Sequence, residues 1–93
     1  MDIINAFLQL NLDIQKNFNP LNWIDITNFE DGTGSISFTD DGESSDLFFS
    51  KMRSIKEFIK GFGYSAELIK FPADCECPYN EATIRINFYG GEL

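Results

Sequence analysis

The sequence predicts an α+β fold in two layers, α-β-β-α-β-β, with two helices on one face of a four-stranded antiparallel sheet. Three observations lead there. Apolar residues recur every three or four positions in two segments, and alternate with polar ones in four others. Glycine-rich or acidic stretches punctuate the intervals. A chain of 93 residues makes one domain, residues 1–93, around one core.

The first helix is expected over residues 2–18, where Ile3, Phe7, Leu10, Ile14 and Phe18 fall on one face. Asp2 can cap it, and Asn19-Pro20 stops it, because proline disfavours a helical residue before it. Trp23 to Thr27 alternates with period two, as does Ser35 to Thr39. The turn-forming run Glu30-Asp31-Gly32-Thr33-Gly34 lies between them, so the pair reads as a hairpin.

Asp40 to Ser45 breaks the alternation and supplies N-caps for a second helix carrying Phe48, Met52, Ile55, Ile59 and Phe62, with Gly61 and Gly63 ending it. Residues 64–71 form the third strand and Pro72 to Glu81 a long turn. Ala82 to Tyr89 forms the fourth strand, where Ile84, Ile86 and Phe88 alternate with Arg85 and Asn87. The order α-β-β occurs twice, and an offset of 44 lays Ile4 on Phe48 and Leu8 on Met52. Any two amphipathic helices can be slid into such agreement.

Alternation assigns the faces. Ile24, Ile26, Ile36, Phe38, Leu68, Ile84, Ile86 and Phe88 are expected to meet the helices. The open face then carries Trp23, Asp25, Thr27, Ser35, Ser37, Thr39, Ile69, Phe71, Arg85 and Tyr89. Trp23, Ile69, Phe71 and Tyr89 are large for a solvated face. They mark either a patch for a partner or packing under the Pro72–Glu81 turn, and a one-residue slip in register would move any of them inward.

Composition removes whole classes of chemistry. There is no histidine, hence no Ser-His or Cys-His nucleophile pair and no imidazole metal ligand. The chain carries no P-loop, GxGxxG, HExxH or GxSxG pattern, and it is read as a non-enzyme without cofactors. Asp40 to Asp46 is oxygen-rich, but counting from Asp40 puts Gly42 at the third position and Lys51 at the twelfth. A calcium loop needs glycine at the sixth and glutamate at the twelfth. Cys75 and Cys77 supply two thiolates where structural zinc takes four ligands. A disulfide across one intervening residue would be strained, so both are read as free thiols of a reducing compartment. No apolar run approaches the ~18 residues needed to cross a bilayer. The N-terminal segment lacks the basic start and small-residue cleavage site of a signal peptide. The protein is expected in the cytoplasm, with no membrane partner.

Charge is the most informative property. Fifteen acidic against seven basic residues give a net charge of −8, which repels phosphates and argues against direct nucleic-acid binding. Between Lys16 and Lys51 there is no basic residue, whereas Asp25, Glu30, Asp31, Asp40, Asp41, Glu43 and Asp46 fall in that interval. A second acidic group, Asp74, Glu76 and Glu81, occupies the long turn, and five basic residues lie between Lys51 and Lys70. Like charges about 7 Å apart repel by only about 0.6 kcal/mol in water, so such clusters are tolerated for solubility alone. They also suit a second purpose. Carboxylates on a rigid frame, at spacings comparable with those of backbone phosphates, can enter a lysine- and arginine-rich groove.

Short, acidic, histidine-free and without catalytic motifs, the chain resembles the small inhibitors of bacteriophages and mobile elements, anti-CRISPR proteins and other DNA mimics among them. The resemblance rests on bulk properties and transfers no residue role. Immunity proteins that neutralise toxins share the same properties. It implies a non-enzymatic inhibitor of a basic, nucleic-acid-handling protein. The expected contacts are Glu30, Asp31, Asp40, Asp41, Glu43 and Asp46, with Trp23 or Tyr89 as an apolar anchor. The alternative is a self-associating module, a homodimer formed through the open face or a sheet edge.

Overall fold

The computed structural model describes residues 3–18, 22–28, 32–40, 44–76 and 78–91; for Ile3 and residues 22–28 it describes the backbone alone. The fold is α+β. Among the described residues are two helices, α1 (Ile3–Phe18) and α2 (Ser45–Lys60). Strands β2 (Thr33–Thr39), β3 (Ser65–Phe71) and β4 (Glu81–Asn87) form an antiparallel sheet with β4 in the middle. A further extended segment, β1 (Asn22–Asn28), lies antiparallel beside β2 at the level of the backbone.

Each described helix follows its apolar stripe. In α1, Phe7, Leu10 and Ile14 are buried, as the spacing predicts; in α2, Phe48, Phe49, Met52, Ile55 and Ile59 are. Ser44 caps α2, its Oγ accepting from the Leu47 amide at 3.3 Å. Asp46 in the first turn and Lys60 in the last complement the helix dipole. The helix stops at Gly61, whose N–H donates to the carbonyls of Glu57 and Phe58 at 3.1 and 3.2 Å. Phe62 therefore falls beyond the last helical turn and is 47% exposed, not part of the buried stripe as predicted. The N-terminal cap Asp2 and the Asn19-Pro20 stop lie outside the described residues.

The strands alternate as expected. Ile36 and Phe38 of β2 stand opposite Ile84 and Ala82 of β4, with Ile86 further along the same row, and all five are fully buried. Ala66 and Leu68 of β3 continue that row against the core. Both helices bury their stripes in this one cluster, so they cover the same face. Each such side chain, fully withdrawn from water, contributes about 1.5–3 kcal/mol before the cost of ordering the chain. The opposite face mixes polar pairs, Ser37 Oγ 2.8 Å from Thr83 Oγ1 and Arg85 with Glu67 at 3.6 Å, with the apolar Ile69 and the half-exposed Phe71 of β3, as the alternation expects.

Three expectations need correction. The fourth strand ends at Asn87 rather than Tyr89, because the Asn87 side chain accepts from the Tyr89 amide and its carbonyl from Gly90, which turns the backbone away. The ladder of β1 departs from the unbroken alternation expected over Trp23 to Thr27: its register slips between Trp23 and Asp25, so the Trp23 backbone stands opposite Phe38. Finally, the offset of 44 lays Ile4 and Leu8, which are exposed, on Phe48 and Met52, which are buried. An offset of 45 superposes the buried faces instead, Phe7 on Met52, Leu10 on Ile55 and Ile14 on Ile59. No helix among the described residues is long and apolar enough to cross a membrane.

Candidate partner-binding surface

Because β2 and β4 are antiparallel, the end of one lies beside the start of the other: Thr39 is opposite Glu81. The chain leaving β2 and the turn entering β4 therefore emerge at the same end of the sheet. Two residues join them there. The Asp40 N–H donates to the Asn80 carbonyl at 3.0 Å. In return, the Asn80 backbone and side-chain amides both donate to Asp40 Oδ2 at 2.7 Å. Asn80 Oδ1 accepts from Ser45 Oγ at 3.0 Å and from the Ala73 N–H at 2.9 Å, and Thr39 Oγ1 donates to its carbonyl. One asparagine thus ties together the end of β2, the start of α2 and both limbs of the β3–β4 turn.

This geometry redistributes the predicted contacts. Asp40 is 7% exposed and serves as an internal acceptor. It is removed from the surface displayed to a partner, where the run of acids in sequence had put it. Asp46 is exposed on the first turn of α2. Glu30, Asp31, Asp41 and Glu43 lie outside the described residues, and so does the Trp23 side chain. Tyr89 is 66% exposed, as an anchor needs to be, but at the other end of the sheet: its ring packs over Gly32, whose carbonyl accepts from the Phe88 amide at 3.0 Å. The seven residues of β2 separate the two ends by about 20 Å at roughly 3.3 Å per residue. Asp46 and Tyr89 therefore belong to different ends, and no single small contact unites them.

The latch brings three further carboxylates to this end, none of them among the expected contacts. Asp74 and Glu76 are exposed and Glu81 is half-buried, on the turn and strand that Asn80 fastens beside Asp40 and Ser45. Asp74 Oδ1 accepts from the Glu76 amide at 2.9 Å, an Asx turn that stiffens this part of the turn. Nothing in the sequence identifies Asn80, since an asparagine in a polar turn usually bonds only its own neighbours. The same end also carries a cation, since Lys70 is in register with Ala82, beside Glu81, and sits 5.8 Å over the Phe49 ring, while Lys51, Arg53, Lys56 and Lys60 run along α2. Cys75 is an exposed free thiol, and Cys77 lies outside the described residues. Among the described residues, no three Cys, Asp or Glu side chains gather where they could hold a metal ion.

Comparison of the chain with protein families, with curated proteins and with solved structures finds no match.

Proposed function

We propose that this protein is a non-enzymatic, cytoplasmic inhibitor that binds a basic protein surface, one that handles nucleic acid, and that it works by holding carboxylates in a fixed array. The observation that carries the reading is the Asn80 latch. It fastens the acidic turn carrying Asp74 and Glu76 to the acidic start of α2 at Asp46, so that charge from two distant stretches of sequence shares one end of the frame. In this reading Asp46, Asp74, Glu76 and Glu81 replace Asp40 as contacts, with Asp41 and Glu43 following Asp40 along the chain. The net charge of −8 speeds arrival at a cationic groove. A four-stranded sheet belongs to the same proposal, with β1 as its outer strand; the backbone pairing of β1 with β2 supports it.

The test is capture of partners from a bacterial lysate at low and moderate salt. The wild type is compared with a D46K/D74K/E76K variant. Retention of a basic protein by the wild type, lost in the variant and at moderate salt, supports the reading. Equal retention by both overturns it.

A second reading, self-association, has an observation of its own. Ile4, Leu8 and Leu12 are 60%, 55% and 62% exposed, at successive turns of α1, on a ridge free of charge. A two-fold pairing of α1 ridges would bury it and keep the acidic ends apart. Sedimentation at micromolar concentration separates the two: a dimer that L8K disperses favours self-association, and a monomer favours the inhibitor.

A further inference from the structure

A cleft of about 140 Å³ opens between α1 and the connection from α2 to β3, lined by Ala6, Gln9, Leu10, Asp13, Phe62 and Tyr64. Its floor is aromatic. Phe62 and Tyr64 lie nearly parallel, 20° between planes with centroids 5.9 Å apart, and are held from either side by edge contacts, Phe58 on Phe62 and Phe88 on Tyr64. Its rim is acidic. Asp13 Oδ1 accepts from Gln9 Nε2 at 3.1 Å, which fixes the carboxylate, and no described Lys or Arg lies within ion-pairing distance of it.

From these features we propose that the cleft receives an arginine side chain of the partner. A guanidinium is planar and weakly hydrated, so it can lie flat on the ring faces while its N–H groups reach the Asp13 carboxylate. The cleft is large enough to take in a single side chain. Its occupant is cationic because a half-exposed aromatic face beside a carboxylate that pairs with no described Lys or Arg attracts cations in preference to neutral groups. The inference rests on the reading of the protein as a binder of basic surfaces. It adds an anchor near the α2–β3 connection, away from the acidic latch: one arginine inserted here would orient the partner, a role that diffuse surface charge performs poorly.

The test uses the intact protein and two capped tripeptides, Ac-Gly-Arg-Gly-NH2 and its neutral isostere with citrulline in place of arginine, titrated by 15N–1H NMR. The arginine peptide is expected to give saturable shifts confined to the amides of residues 6–13 and 62–64. The citrulline peptide is expected to bind at least about tenfold more weakly, as loss of one charge-assisted contact implies. D13N and F62L, both at exposed or half-exposed positions, should each weaken the arginine peptide while leaving the rest of the spectrum in place. Equal binding of the two peptides, no shift at the cleft, or full binding by both variants overturns the inference. Should a basic protein be captured from the lysate while the cleft ignores arginine, this inference fails and the inhibitor reading stands. Should the cleft bind arginine while no basic protein is retained, the cleft chemistry stands and the inhibitor reading falls.

Discussion

Asp40 and Asn80, forty residues apart, exchange three hydrogen bonds within 3.0 Å, and two of them converge on one carboxylate oxygen of a buried aspartate. Two donors satisfying Oδ2 make it possible to hold this group away from water, and the pair determines how the two loops at that end of the sheet are joined.

Removing the carboxylate strands both Asn80 donors. D40A is expected to lower unfolding stability by about 2–4 kcal/mol, since hydrogen bonds to charged groups and unsatisfied buried donors each count for more than a kilocalorie. N80A should cost a similar amount. The double variant should fall short of the sum by about 1–3 kcal/mol, because either change alone breaks the same contact. Urea unfolding of the four proteins measures the coupling; strictly additive values would mean that the latch contributes little.

The triple charge reversal D46K/D74K/E76K is expected to behave differently. All three side chains are exposed. Stability should fall by about 1–2 kcal/mol, for the lost helix-dipole partner at Asp46 and the lost Asx-turn bond at Asp74, which leaves the fold intact while capture of a basic partner is lost. Thermal unfolding beside the binding assay separates this from collapse of the fold.

Two glycines with positive φ offer a controlled comparison. Gly63 (φ 89°) has open space where a Cβ would go, whereas a Cβ at Gly32 (φ 86°) would meet the Tyr89 ring. G63A is expected to cost about 1–2 kcal/mol for the left-handed backbone alone. G32A should cost more, and adding Y89A should recover part of the excess. Equal losses in G32A and G63A would contradict the packing of Tyr89 over Gly32.

Asn11 is 7% exposed, and its Oδ1 has no hydrogen-bond partner among the described residues. A buried, unsatisfied carbonyl oxygen beside Phe7, Leu10 and Ile14 lowers stability, so N11L should raise the unfolding stability measured in urea, by an amount of order 1 kcal/mol. The central I84A should lower it by about 2–5 kcal/mol, because the fully buried Ile84 leaves a cavity between β2 and β3.

Sequence periodicity was enough to assign both helices, the described strands β2, β3 and β4, and the rows that face the core. Ile36, Phe38, Ile84 and Ile86 are buried where alternation placed them, and Ser37 and Arg85 are on the open side. These properties are local: a helix or strand repeats every 3.6 or two residues, and apolar surface seeks burial wherever it recurs at that period. The candidate site was legible only in part. That negative charge gathers in turns could be read directly; which of those charges meet solvent together could not.

Tertiary structure decided the rest. It buried Asp40, because a polar group can leave water only where partners await it, and those partners stand forty positions away. It put Asp46 and Tyr89 at opposite ends of β2, because antiparallel pairing, not proximity in sequence, determines which loops meet. It set the Trp23 backbone opposite Phe38 through a single slip in the ladder, and it released Phe62 from the end of α2 into the floor of a cleft. A pattern along the chain fixes what each segment becomes; the pairing of segments fixes which side chains share a surface.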